Sequence, residues 1–112
     1  MIGLHLIVDG IFNPPLDGGD IENILSELPL RIDMNVIAGP VVVKGCPENP
    51  GWTGFVIIDK SHISIHTFDD GNRISVDVFS CKPFREETAL SFLEERIRFE
   101  KKNVKMLTRS EE

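Results

Sequence analysis

The sequence predicts an α+β fold, a two-layer α/β sandwich in which a mainly antiparallel sheet carries helices on one face. Three observations point to it. Several short segments alternate apolar and polar residues or are rich in Val and Ile, as half-buried strands are. Two segments place apolar residues at helical spacing, and clusters of Gly, Pro, Asn and Asp separate one segment from the next. Runs of strands with only one or two helices favour segregated layers.

Residues 3–9 alternate, with Leu4, Leu6 and Val8 on one face and His5, Ile7 and Asp9 on the other, which reads as a strand. Asn13-Pro14-Pro15 and Asp17-Gly18-Gly19 break the chain. Asp20 opens a short helix whose Ile21, Ile24, Leu25 and Leu28 fall at i, i+3, i+4 and i+7, and Pro29 closes it. Residues 34–44 are rich in Val and Ile, with a bulge or break at Gly39-Pro40, and residues 45–51 form a loop. Strands follow at 53–59 and 62–68, then a turn at Asp69-Asp70-Gly71-Asn72 and a returning strand at 73–79. Pro83 starts a helix running to about Lys101, with Leu90, Leu93 and Ile97 on its buried side. Its acidic residues Glu86, Glu87, Glu94 and Glu95 read as a solvated face paired with Arg96 and Arg98. Residues 104–108 make a last short strand.

A chain of 112 residues is one small domain, 1–112, without a second core. The net charge of −6, with no basic stripe, argues against nucleic acid or an anionic membrane as a partner. The first residues have no basic region and no cleavage motif, so no signal peptide is expected. Two cysteines, Cys46 and Cys81, make no disulfide framework, and a reducing, cytoplasmic setting is the natural reading. A domain this small gains core by dimerising.

The chemistry concentrates in Ser61-His62-Ile63-Ser64-Ile65-His66-Thr67, which joins hydroxyls and two histidines to a β-branched backbone. A turn that leaves Phe68 opposite Arg73 sets His66 against Ser75, Ser64 against Asp77, His62 against Phe79 and Lys60 against Cys81. Cys81 then lies within one residue of Ser61. His66 lies five residues along the same strand, about 16 Å away at roughly 3.3 Å per residue. It cannot reach its own Ser61, but it could serve the Ser61 of a second subunit across a two-fold axis. An extended run also separates His62 from His66, so no metal site is expected. No Gly-x-Ser-x-Gly elbow is present.

Residues 61–68, followed by Val76-Asp77-Val78-Phe79-Ser80-Cys81, closely resemble the prokaryotic S-adenosylmethionine decarboxylases, small pyruvoyl-dependent enzymes made as self-cleaving proenzymes. Gly3-x-His5-Leu6-x-Val8-Asp9 resembles their opening strand, and residues 53–58 the strand before their cleavage site. The resemblance implies self-cleavage at Lys60-Ser61 into a beta chain, 1–60, and an alpha chain, 61–112. Ser61 would become a pyruvoyl group that forms a Schiff base with the substrate amine and draws electrons from the departing carboxylate. By similarity, His66 assists processing, Thr53 stands where a hydroxyl helps it, and Cys81 is the proton donor to the decarboxylated carbon. Phe68 and Asp70 fall at substrate-binding positions. The implied product is decarboxylated S-adenosylmethionine for spermidine synthesis, made by a homodimer of cleaved protomers that share active sites.

The sequence departs from the family at Lys60, usually glutamate, at Phe68, usually tryptophan, and at Asp70, usually glutamate. The loop 46–51 also lacks the aromatic that stacks on adenine; Trp52 is either its substitute or a core residue. Two other readings follow from these departures: a pyruvoyl-dependent decarboxylase of arginine or ornithine on the same fold, and an uncleaved, non-catalytic homologue.

Overall fold

The computed structural model describes residues 1–112. Strand β1 spans Gly3–Phe12, helix α1 Gly18–Arg31, β2 Ala38–Lys44, β3 Trp52–Ile57, β4 His62–Phe68, β5 Arg73–Ser80, helix α2 Glu86–Arg96 and β6 Phe99–Arg109. All six strands form one antiparallel sheet in the order β2-β3-β4-β5-β1-β6. This is the expected sandwich of sheet and helices.

Alternation along the strands decides which face takes the helices. Leu6, Val8, Val56, Ile63, Ile65, Val76 and Val78 are all fully buried on one face, where they meet Ile21, Leu25 and Leu28 of α1 and Phe92 and Leu93 of α2. Burying an aliphatic or aromatic side chain of this size contributes about 1.5–3 kcal/mol, so this face carries the stability of the fold. Gly54 is part of the fit: a Cβ there would sit 2.6 Å from Ile21 Cγ2 and 2.7 Å from Leu25 Cδ1. Trp52 also packs against this core, beside Gly18. Of its two readings, the core residue is the one the structure takes.

Several element boundaries differ from the sequence expectation, each for a physical reason. Helix α1 starts earlier, because Asp17 rather than Asp20 is its N-cap. The Asp17 carboxylate accepts from the Asp20 amide and the Asp20 carboxylate from the Asp17 amide, a reciprocal capping box. It also runs past Pro29 to Arg31. Proline removes only one amide there, and Asp33, with φ 63°, closes the helix in the left-handed conformation while the Met34 amide returns to the Pro29 carbonyl. Helix α2 ends at Arg96, not near Lys101. The chain turns extended at Ile97 because the free edge of β1 recruits residues 99–109 as a full-length strand in place of the short one expected. Ala89 and Phe92 join Leu93 and Ile97 in the core, whereas Leu90 is only half-buried. The acidic residues of α2 also reach farther than an isolated helix would suggest. Glu95 pairs with Arg31, Arg96 with Glu27, and Glu94 with Lys102 at 2.8 Å, so these pairs tie α2 to α1 and β6.

Strand β2 shifts register between Ala38 and Val41, where the Gly39-Pro40 break was expected. The β4–β5 pairing has the expected register, with His66 opposite Ser75 and His62 opposite Phe79. The sheet's second face has no helix over it. It exposes Val41, Val43, Phe55, Ile57 and Leu107.

Candidate active site

Four residues, Ile58 to Ser61, join β3 to β4, with Asp59 and Lys60 at the tip. The Ile58 amide donates to the Ser61 carbonyl at 2.9 Å, and both tip residues have positive φ, 44° and 46°. This is the pattern of a type I′ hairpin turn, which favours Asn-Gly because its central residues must be left-handed. Aspartate tolerates that conformation; a lysine in it is strained. The strained residue is the one that precedes Ser61.

Ser61 closes the turn with its side chain buried, 4 % exposed. Its Oγ accepts a hydrogen bond from the Cys81 amide at 2.8 Å, and Cys81 Sγ lies 3.8 Å from the Asp59 carbonyl. Thus the hairpin register does bring Cys81 to Ser61 through its backbone, while its thiol faces the Asp59 carbonyl of the same turn. The bend that aims Cys81 is held by residues the sequence reading did not single out. Ser80 Oγ donates to the Lys82 carbonyl at 2.6 Å and receives the Lys82 amide, and Lys82 Nζ donates to the Asp33 carbonyl at 2.8 Å. A serine two residues before a carbonyl it can bridge is the visible signal for such a bend.

A second cluster lies at the opposite end of β4. Thr53 faces His66 across β3 and β4, and its Oγ1 hydrogen-bonds His66 Nδ1 at 3.0 Å. Phe68 follows on the same strand, under the Arg73 guanidinium at 5.4 Å, and Asp70 lies exposed in the turn beyond it. A hollow of about 700 Å³ opens beside Phe68, lined by Arg73, Ser75, Asp9 and Lys101 among others. The loop 45–51 offers no aromatic side chain. Within one chain, then, Ser61 joins Cys81 and Thr53 joins His66, while the length of β4 keeps the two pairs apart.

Between the clusters the open face carries a group that the sequence reading left without a role. His62 is stacked between Phe55 at 5.4 Å and Phe79 at 5.6 Å, and His5 meets the Phe79 edge while donating to the Asp77 carboxylate at 3.1 Å. Burial holds the His62 imidazole below its ordinary value, the charges of His5 and Arg109 add to that, and Asp77 opposes them.

The fold and its paired hydroxyl, thiol and imidazole groups define a single-sheet sandwich built around a buried serine in a strained hairpin. Comparison with known proteins gives this class its family. The family model described as S-adenosylmethionine decarboxylase matches residues 5–110. A protein of Clostridium botulinum (strain Loch Maree / Type A3) named S-adenosylmethionine decarboxylase proenzyme is 32% identical over 114 residues, covering 96% of this chain and 93% of the relative. One of the same name from a Hydrogenobaculum species is 33% identical over 98 residues, covering 82% of this chain and 69% of the relative. The crystal structure of the adenosylmethionine decarboxylase of Aquifex aeolicus superposes with a TM-score of 0.75 at 23% identity, over 99% of this chain and 95% of that one. The chain belongs to the S-adenosylmethionine decarboxylase family. No helix is long and apolar enough to cross a membrane.

Proposed function

We propose that this chain is a proenzyme that cleaves its own Lys60-Ser61 bond and then decarboxylates S-adenosylmethionine. The observation that carries the reading is the buried Ser61 hydroxyl oxygen, held at 2.8 Å by the Cys81 amide directly after a left-handed lysine. In the first step Ser61 Oγ attacks the Lys60 carbonyl carbon as its hydroxyl proton passes to the Ser61 nitrogen; the C–N bond breaks, freeing that amine, and an ester replaces the peptide. The strain at Lys60 favours this exchange, because the ester frees the turn from its left-handed geometry. The Cys81 N–H orients Oγ for the attack and stabilises that oxygen as its hydroxyl gives up the proton. A base then removes the Ser61 α-proton and the Lys60 carboxylate departs, leaving a dehydroalanine. Water converts that residue to a pyruvoyl group, with release of ammonia.

The residues present suit that group: a buried serine with an oxygen already oriented, and a thiol against the same turn. The pyruvoyl ketone supplies the electron sink for decarboxylation. Cys81 Sγ returns a proton to the carbon that loses carbon dioxide. Phe68 and Asp70 hold the nucleoside end of the substrate. Thr53 and His66 provide the processing base, and the length of β4 between them and their own Ser61 supports a role at the Ser61 of another chain. The helix-free face, with its exposed Val41, Val43, Phe55 and Ile57, supports a homodimer in which each site takes one cluster from each chain. The product, decarboxylated S-adenosylmethionine, is an aminopropyl donor suited to spermidine synthesis.

A second reading keeps the fold and the cleavage but takes arginine or ornithine as substrate. It is favoured by one observation: loop 45–51 has no aromatic, and Trp52 is committed to the core. Incubating the purified protein with each substrate, with borohydride trapping and collection of carbon dioxide, separates the two. Labelling of the 61–112 fragment by S-adenosylmethionine supports the first; release of carbon dioxide from arginine or ornithine alone overturns it.

A further inference from the structure

One row of side chains crosses four strands on the open face. Thr53 faces His66, His66 faces Ser75, and Ser75 faces Asp9. Both ends of the row are hydrogen-bonded: Thr53 Oγ1 to His66 Nδ1 at 3.0 Å, and Ser75 Oγ donating to Asp9 Oδ1 at 2.7 Å. The adjacent row, Phe55, Ser64, Asp77 and Ile7, is not linked in this way, and its carboxylate turns aside to His5. Neither Ser75 nor Asp9 contributes to the helix-side core, so packing does not require a hydroxyl and a carboxylate at these two positions.

A carboxylate only accepts hydrogen bonds, so Asp9 fixes the Ser75 proton on the β1 side. The lone pairs of Ser75 are then left towards β4, where His66 stands. Ser75 faces the ring across the β4–β5 pairing without a hydrogen bond to it, so the pair acts through its field: the oriented hydroxyl dipole and the Asp9 carboxylate favour the imidazole proton on Nε2, the nitrogen that Thr53 does not engage. Nδ1 remains the acceptor of the Thr53 hydroxyl and the basic nitrogen of the ring. The other groups around His66 do not set this preference. Phe55 lies beside Thr53 on β3, Ser64 and Phe68 flank His66 on β4, and Arg73 and Asp77 flank Ser75 on β5 with opposite charges. Beyond Asp9, β6 places Asn103 opposite it and Lys101 and Lys105 to either side.

We propose that Ser75 and Asp9 are positioning residues for His66, fixing its tautomer for processing. The proposal rests on the proposed role of His66 as processing base, but one of its tests does not. Ring nitrogen-15 spectra of the uncleaved Ser61→Ala chain resolve three histidines and report the His66 tautomer directly. The expected result is a single Nε2–H form, which becomes mixed when Ser75→Ala or Asp9→Asn is added and is restored by Ser75→Thr. In chains that retain Ser61, the same two substitutions should slow cleavage about tenfold, and Ser75→Thr should leave it near the parent rate. An unchanged tautomer with unchanged cleavage overturns the proposal and leaves the function standing. A parent chain that never cleaves overturns the function instead, and the spectra alone then decide the role of the row.

Discussion

The Cys81 amide donates to the Ser61 hydroxyl oxygen at 2.8 Å across the β4–β5 pairing, so the residue proposed to give up a proton to substrate also grips the nucleophile. The two tasks use different atoms. Cleavage needs the Cys81 backbone N–H, whereas decarboxylation needs its thiol. Cys81→Ala should therefore still cleave into 1–60 and 61–112, while decarboxylation of S-adenosylmethionine falls by roughly 10²-fold or more, the usual scale of a lost proton donor. Ser61→Ala should remain one full-length species after any incubation. Intact-mass measurement and carbon dioxide release read the two steps separately; a Cys81→Ala chain that stays whole removes the backbone argument.

The distance along β4 yields a prediction about two chains rather than one. His66→Ala alone should process poorly, and Ser61→Ala alone not at all. When the two variants are co-expressed, the His66→Ala chain should be cut, because its Ser61 meets the intact His66 of the other. The Ser61→Ala chain stays whole. Mass spectrometry distinguishes the chains by their substitutions. If neither is cut in the mixture, the two clusters do not meet across a two-fold axis.

The sheet, the β4–β5 register and the approach of Cys81 to Ser61 were legible in the sequence because each follows from period-two alternation and one turn. What was not legible depends on neighbours distant along the chain. The last strand extends back to Phe99 only because β1 presents a free edge, and helical spacing in 90–97 gives no sign of that partner. The His5–Asp77 pair joins residues 72 positions apart, and the segments that hold them give no sign that the two side chains meet. The left-handed pair Asp59-Lys60 was hidden for another reason: the turn lacks the glycine or asparagine that normally announces positive φ.

Gly54 marks a close contact of α1 with the sheet. A methyl group at that position meets Ile21 and Leu25 below 3 Å, so Gly54→Ala forces the helix outward. The expected cost is about 1–3 kcal/mol, visible as a lower denaturant midpoint with little change in slope. The neighbouring Thr53 points to the opposite face of the sheet, so the cleavage pattern should persist in the folded fraction. An unaltered midpoint would mean that α1 has room to move.

His62 makes stability depend on pH. Its folded value lies below the ordinary 6.5, chiefly through burial between Phe55 and Phe79. Between those two values the unfolded chain binds more protons than the folded one, so stability rises with pH. The contribution is fully present above about 6.5 and is lost as pH falls below it towards the folded value. His62→Phe keeps a ring in the stack and removes the titrating group. Chemical denaturation of the Ser61→Ala chain from pH 7.5 to 5.5 should show a shallower loss in the Phe variant; equal slopes place the acid sensitivity elsewhere.

Lys60 tests whether strain contributes to the chemistry or merely accompanies it. A non-glycine residue in the left-handed region costs about 1–2 kcal/mol relative to one that adopts it freely. Lys60→Gly should remove that cost, stabilising the uncleaved Ser61→Ala chain by about 1 kcal/mol in a urea titration. The same substitution in the parent chain should slow cleavage about fivefold, because the peptide loses part of the strain that the ester relieves. A negative charge in place of the lysine, Lys60→Glu, leaves φ unchanged and separates electrostatics from geometry. If Lys60→Gly cleaves as fast as the parent while the uncleaved chain gains stability, the left-handed turn belongs to the hairpin alone, and the Cys81 amide must supply the activation by itself.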